Sequence, residues 1–87
     1  MSFRVLEIQP TPNPNAVKLV LDQPVGDQPM SFFNAEAAKG HPLAEKLFSI
    51  EGVSSLLLLG DFITINKRPE ADWGEVTKRA QTILAAI

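Results

Sequence analysis

The sequence contains no cysteine and a single histidine, His41. The first absence excludes a disulfide framework, a thiolate nucleophile, Cys-ligated zinc and a Cys-held iron–sulfur cluster within these 87 residues. The second excludes a His-rich metal site. There is little charge excess: 8 basic against 10 acidic residues leave a formal net charge of −2. No broad attraction to nucleic acid or to an anionic membrane is therefore expected. Long apolar runs are missing as well. Runs such as Leu56–Leu59 and Ile83–Ile87 fall far below the ~18 residues a membrane helix needs. The N-terminus, Met1-Ser2-Phe3-Arg4-Val5-Leu6-Glu7, lacks the basic and apolar regions of a secretory signal. These features predict a soluble, cytoplasmic protein. What is present is a globular composition, 45% hydrophobic and 21% charged. At this length it predicts one domain over residues 1–87 with one thin core.

Residues 3–9 are rich in β-formers. Strict alternation puts Phe3 and Val5 on one face, Leu6 and Ile8 on the other, and Arg4 with the second pair. Thr11-Pro12-Asn13-Pro14-Asn15 ends this strand, because each proline removes a ladder donor and pushes the residue before it to extended geometry. Ala16–Leu21 predicts the second strand, so residues 3–21 read as a hairpin around a stiff loop. After a polar connector, Asp22–Pro29, the stretch Met30–Phe33 is a third candidate strand. Asn34 suits the N-cap of a helical turn, Ala35–Lys39, that Gly40 can end. Pro42 suits the first position of a helix over Leu43–Ile50.

Val53–Leu59 and Phe62–Lys67 form the clearest hairpin. A two-residue Gly60-Asp61 turn of type II′ or I′ pairs Leu59 with Phe62, Leu58 with Ile63 and Leu56 with Ile65. Ser55, Leu57, Thr64 and Asn66 fall on the opposite face. Asp72 and Glu75 cap a last helix, Asp72–Ile87, with Trp73, Val76, Ala80, Ile83, Leu84 and Ile87 as its apolar stripe. The expected fold class is α+β, a mainly antiparallel sheet of two hairpins with helices packed on one face. Its expected core contains Leu47, Phe48, Leu56, Leu58, Ile63, Ile65, Trp73, Val76 and Leu84.

No constellation demands catalysis. His41 has no evident orienting carboxylate or nucleophile and reads as a helix cap. The carboxylates are scattered, with Asp61 in a turn and Asp72 and Glu75 at a helix start. The most unusual feature is Pro12-Asn13-Pro14-Asn15. It reads either as a stiff hairpin loop or as a recognition loop that is cheap to immobilise. The surface not consumed by the core gives the candidate partner-binding set: Thr11, Asn13, Asn15, Lys18 and Arg4. Lys67 and Arg68 also lie on or beside strands and could extend a modest basic face. On local chemistry alone, a module for an anionic or phosphorylated peptide or small ligand remains open.

Read together, Thr11–Leu19, Pro42–Val53, Asp61–Ile65 and Asp72-Trp73 resemble the N-terminal domain of Nfu/NifU-type scaffold proteins, in that family's order and near its spacing. The likeness covers essentially the whole chain, with TPNPN its most telling piece. It implies an α+β fold and a place in iron–sulfur cluster biogenesis. In full-length members a further domain carries the Cys-x-x-Cys that binds a cluster between two subunits. With no Cys here, cluster ligation carries over to no residue, and the chain is expected to be a stand-alone N-terminal domain. The resemblance thus implies a non-catalytic accessory module; a monomer with no cofactor of its own is expected. Its implied partners are proteins of iron–sulfur cluster assembly or recipient apoproteins, not nucleic acid or membrane.

Overall fold

The computed structural model describes residues 3–26 and 28–86. The elements follow the order β1 (Val5–Pro10), β2 (Ala16–Leu21), β3 (Met30–Phe32), α1 (Pro42–Phe48), β4 (Val53–Leu59), β5 (Phe62–Lys67) and α2 (Trp73–Ala86). The five strands form one sheet in the order β1-β2-β5-β4-β3, and every neighbouring pair is antiparallel. The fold is the α+β class that the apolar patterning predicts. Ile87, the expected end of α2, lies outside the described residues.

Side-chain alternation across the paired strands builds the core. Leu19, Ile63 and Leu58 stand in one row across β2, β5 and β4, and Val17, Ile65, Leu56 and Phe32 in the next, reaching β3. All seven are buried. Leu43, Ala44 and Leu47 of α1 and Val76, Ala80 and Leu84 of α2 close over this face. Phe48 and Trp73, expected inside, are only half-buried at its margin. Each begins or ends a helix, where the packed face runs out.

The β4–β5 pairing is the one the two-residue turn dictates, with Leu59 opposite Phe62, Leu58 opposite Ile63 and Leu56 opposite Ile65. Gly60 has φ +58°, and no non-glycine residue among those described has a positive φ. A I′ turn needs positive φ at both central residues, so of the two turns considered only II′ remains.

Two bulges revise the faces that simple alternation assigns. The register slips between Val5 and Glu7, leaving Leu6 as the extra residue on β1. Ile8 is therefore opposite Leu19 on the helix side, the same side as Val5. Leu6 is 60% exposed. The second slip lies between Val53 and Ser55, and there the Ser54 hydroxyl donates to the Asn66 carbonyl at 3.1 Å. It puts Val53 and Leu56 on one face although three positions separate them.

The segment after β3 is a run of hydrogen-bonded turns, not a helix. Asn34 Oδ1 accepts the Ala37 N–H at 2.8 Å, and Ala38 and Lys39 donate to carbonyls three residues back. His41 then caps α1, its Nδ1 accepting the Ala44 N–H at 3.2 Å. Asp72 caps the first turn of α2 through the Glu75 N–H at 3.2 Å. Among the described residues no helix is long and apolar enough to cross a membrane.

Candidate functional site: a pinned loop and an open sheet face

The loop between β1 and β2 organises itself first. The Thr11 hydroxyl donates within 3.0 Å of the Asn13 and Ala16 carbonyls and accepts the Asn13 N–H. Asn13 Oδ1 in turn accepts the Asn15 N–H at 2.9 Å, an Asx turn. Two side chains from distant sequence then hold the loop from below. The Trp73 indole N–H donates to the Pro14 carbonyl at 3.0 Å, and the Lys67 ammonium donates to Asn15 Oδ1 at 3.2 Å.

Lys67 is the one buried charged residue among those described, 8% exposed. Alternation along β5 explains its place. It follows Ile63 and Ile65 on the core face, so its stem enters the core margin and its head emerges under the loop. Besides Asn15 it donates to the carbonyls of Arg68 and Pro69, and it lies 5.4 Å from the centre of the Trp73 ring. Three acceptors and an aromatic face replace the water it has lost. Lys67 is thus part of the fold and not of a basic surface. Neither it nor Trp73 was among the candidate site residues, although the two-residue period through Ile63, Ile65 and Lys67 carried the signal.

The candidate residues do not all come together. Pro12, Asn13 and Pro14 are exposed at the loop tip, while Thr11 and Asn15 are half-buried and spend their side chains on the loop itself. Lys18 lies two residues into β2, on the sheet face away from the helices, with its ammonium 4.1 Å from the centre of the Phe62 ring. Arg4 sits at the other end of the β1–β2 hairpin, where its N–H meets Asp22 Oδ1 at 3.0 Å. With Arg4 far off and Lys67 buried, the candidate basic residues among those described do not come together to favour a phosphorylated ligand.

The carboxylates are spread and locally engaged. Asp72 caps α2, Glu75 meets Arg79 at 3.7 Å and Glu36 meets Lys39 at 3.2 Å. Both ion pairs are well exposed and each contributes at most a few tenths of a kcal/mol. Among the described residues no group of three or more His, Cys, Asp or Glu is placed to hold a metal ion.

Removing the Asn15 amide is expected to show how much the loop depends on its anchor. Asn15→Ala leaves the Lys67 ammonium one acceptor short in a poorly hydrated place, which costs about 1–3 kcal/mol. Denaturant unfolding of Asn15→Ala, Lys67→Met and the double variant measures the coupling. Asn15→Ala should cost clearly less once Lys67 is gone, and strict additivity would show that the two groups do not interact.

The comparisons with known proteins agree with this architecture. The family model described as scaffold protein Nfu/NifU N terminal matches residues 6–87. The chain is 42% identical over 73 residues to the human protein named NFU1 iron-sulfur cluster scaffold homolog, mitochondrial, covering 82% of this chain and 29% of that protein. It is 31% identical over 82 residues to conserved virulence factor C of Staphylococcus haemolyticus, covering 94% of this chain and 22% of that one. It spans less than a third of the length of these curated relatives. A solution structure of a NifU-like protein from Saccharomyces cerevisiae superposes with a TM-score of 0.75 at 28% identity, covering 93% of this chain and 76% of that chain. A family match over nearly the whole described sheet, with the TPNPN loop inside it, leads to one conclusion: the chain belongs to the Nfu/NifU scaffold N-terminal family.

Proposed function

We propose that this domain is a non-catalytic docking module in iron–sulfur cluster assembly, binding assembly proteins or recipient apoproteins and ligating no cluster itself. Family membership supports the pathway. The docking role rests on one observation, a loop with three consecutive exposed residues, Pro12, Asn13 and Pro14, held rigid from beneath by Trp73 and Lys67. Such a loop loses little entropy when a partner holds it. In this reading Asn13 presents its amide to the partner, Thr11 and Asn15 set the loop's shape, and Lys18 steers from the adjoining strand. Arg4, at the far end of the hairpin, belongs to the surface only if the partner spans the length of β1.

The test separates recognition from folding. Asn13→Asp keeps the Oδ1 that accepts the Asn15 N–H but removes the outward N–H donors. Iron–sulfur assembly proteins captured from the native cytosol by the wild-type domain should be identified by mass spectrometry and purified. Calorimetric titration should then show Asn13→Asp binding roughly 10- to 100-fold weaker, the loss of about 1–3 kcal/mol expected for a buried hydrogen-bond partner. Its melting temperature should stay close to that of the wild type. Unchanged affinity would remove the loop from the contact surface.

A further inference from the structure

The helices cover one face of the sheet and leave the other open. Its middle is built of two rows across the strands: Glu7, Val20, Phe62 and Leu59 in one, Gln9, Lys18, Thr64, Leu57 and Ser31 in the other. Val20, Leu57, Leu59 and Phe62 form a continuous apolar strip over β2, β5 and β4, and all four remain partly exposed. None of them packs against the buried cluster on the helix side. Folding therefore does not consume this strip. The connector from β2 to β3 leaves it open too: Val25 packs toward the buried cluster, and its N–H meets the Gly60 carbonyl at 2.8 Å, around the end of the β4–β5 hairpin.

Two charges stand in these rows, Glu7 on the edge strand and Lys18 on β2 beside the apolar strip. The Lys18 ammonium lies over the Phe62 ring at 4.1 Å and has no carboxylate partner among the described residues. Glu7, diagonally across on the edge strand, accepts from Gln9 Nε2 at 3.0 Å. The aromatic ring is thus a resting place for a cation that lacks an anion. A carboxylate arriving on an apolar segment would offer that cation a stronger partner than the ring. Drawing the ammonium aside would also bare Phe62 to apolar contact.

From this charge complementarity we infer that the open face of β2, β5 and β4 is a docking surface for an amphipathic segment of a partner protein. The segment carries apolar side chains for the Val20–Phe62–Leu59–Leu57 strip and a carboxylate that meets Lys18. This deepens the docking reading above by adding a second contact surface beside the loop. A second copy of the chain suits the face poorly, because the one carboxylate it brings in these rows, Glu7, stands on the edge strand off the apolar strip and already accepts from Gln9 Nε2.

A displayed random-peptide library selected on the folded domain supplies the probes. The selected peptides should carry Asp or Glu beside apolar residues. In NMR titrations they should shift backbone amides of β2, β4 and β5 and spare the helices. Affinity should fall about tenfold or more in Lys18→Glu and less in Lys18→Gln, because reversal adds repulsion. Leu57→Thr, which keeps a strand-forming residue, should weaken binding while the amide spectrum stays folded. The inference is overturned if selected peptides show no acidic preference, if they shift the helices instead, if none is selected, or if sedimentation shows self-association through this face. Its failure is distinct from that of the assembly reading. Assembly proteins captured equally by wild type and Lys18→Glu would remove the face and keep the reading. Peptides seated on the face, with no assembly protein captured, would do the reverse.

Discussion

Leu47→Ala is expected to lower the unfolding free energy by about 2–5 kcal/mol, whereas Leu6→Ala should cost less than about 0.5 kcal/mol. The chemistry of the two substitutions is identical and only the surroundings differ. Leu47 is 0% exposed, between α1 and the sheet, whereas Leu6 is the bulged residue of β1 and 60% exposed. Removing the Leu47 side chain forfeits its burial and leaves a hole that two helices and a sheet cannot fully close. In a domain of this length total stability is on the order of 4–13 kcal/mol, so the loss is a large share. The melting temperature should fall by roughly 10–30 °C. Leu84→Ala should behave as Leu47→Ala does, since Leu84 is also 0% exposed and holds α2 to the same core. Thermal and urea unfolding of the three variants measures the contrast. Equal losses for Leu6→Ala and Leu47→Ala would mean that the core does not lie where these helices close it.

The parts of the fold that sequence revealed are those in which one local feature fixes geometry. Gly60-Asp61 sets the register of β4 and β5, because a two-residue turn permits a single pairing and a slip of one residue would turn Leu56, Leu58, Ile63 and Ile65 to water. The faces of β1 were not legible. A bulge adds a residue without a compositional mark, so Phe3-Arg4-Val5-Leu6-Glu7-Ile8 reads as perfect alternation while the backbone departs from it at Leu6. The segment at 34–40 shows a further limit. Asn34 and Gly40 are sound start and stop signals, but the five residues between them are too few to repay helix nucleation, and turns result.

The loop at Thr11–Asn15 was conspicuous because two prolines and two asparagines in five residues are punctuation that a strand cannot absorb. What holds it was hidden. Lys67 is 52 residues from Asn15 and Trp73 is 59 residues from Pro14. Contacts at such separations follow from sheet order, which needs the whole topology. The same holds for Lys18 and Phe62, which meet only because β5 inserts between β2 and β4. Local patterning found the loop and put Lys18, Leu57 and Thr64 away from the core, while strand order decided which residues of the open face touch. It also turned Lys67 from a basic surface residue into a buried anchor.

The junction between α1 and β4 yields the second large effect. Gly52→Ala is expected to cost about 2–6 kcal/mol, the sum of two separable terms. Gly52 has φ +98°, a conformation that a side chain makes costly by about 1–3 kcal/mol. A Cβ added there would also lie 2.5 Å from the Cβ of Ala71, inside any tolerable contact. Overpacking of this kind costs a further ~1–3 kcal/mol, because the surroundings must shift. They are not free to do so. The Gly52 carbonyl accepts the Arg68 N–H at 2.7 Å, and the Ala71 N–H returns to the Arg68 carbonyl at 3.0 Å, so the loop between β5 and α2 is tied to this glycine. Gly40 supplies the control. Its φ is +91°, yet a Cβ there would meet nothing within 4 Å. Gly40→Ala therefore reports the conformational term alone, and the excess loss in Gly52→Ala reports the clash. Ala71→Gly placed in the Gly52→Ala background should recover that excess and leave the conformational term, a coupling that a double-mutant cycle reads directly. If Gly52→Ala costs no more than Gly40→Ala, or if Ala71→Gly recovers nothing, then the β5–α2 loop does not press on Gly52. The close packing that carries the chain from Lys67 to Trp73, the two residues under the Thr11–Asn15 loop, would then have to be sought elsewhere.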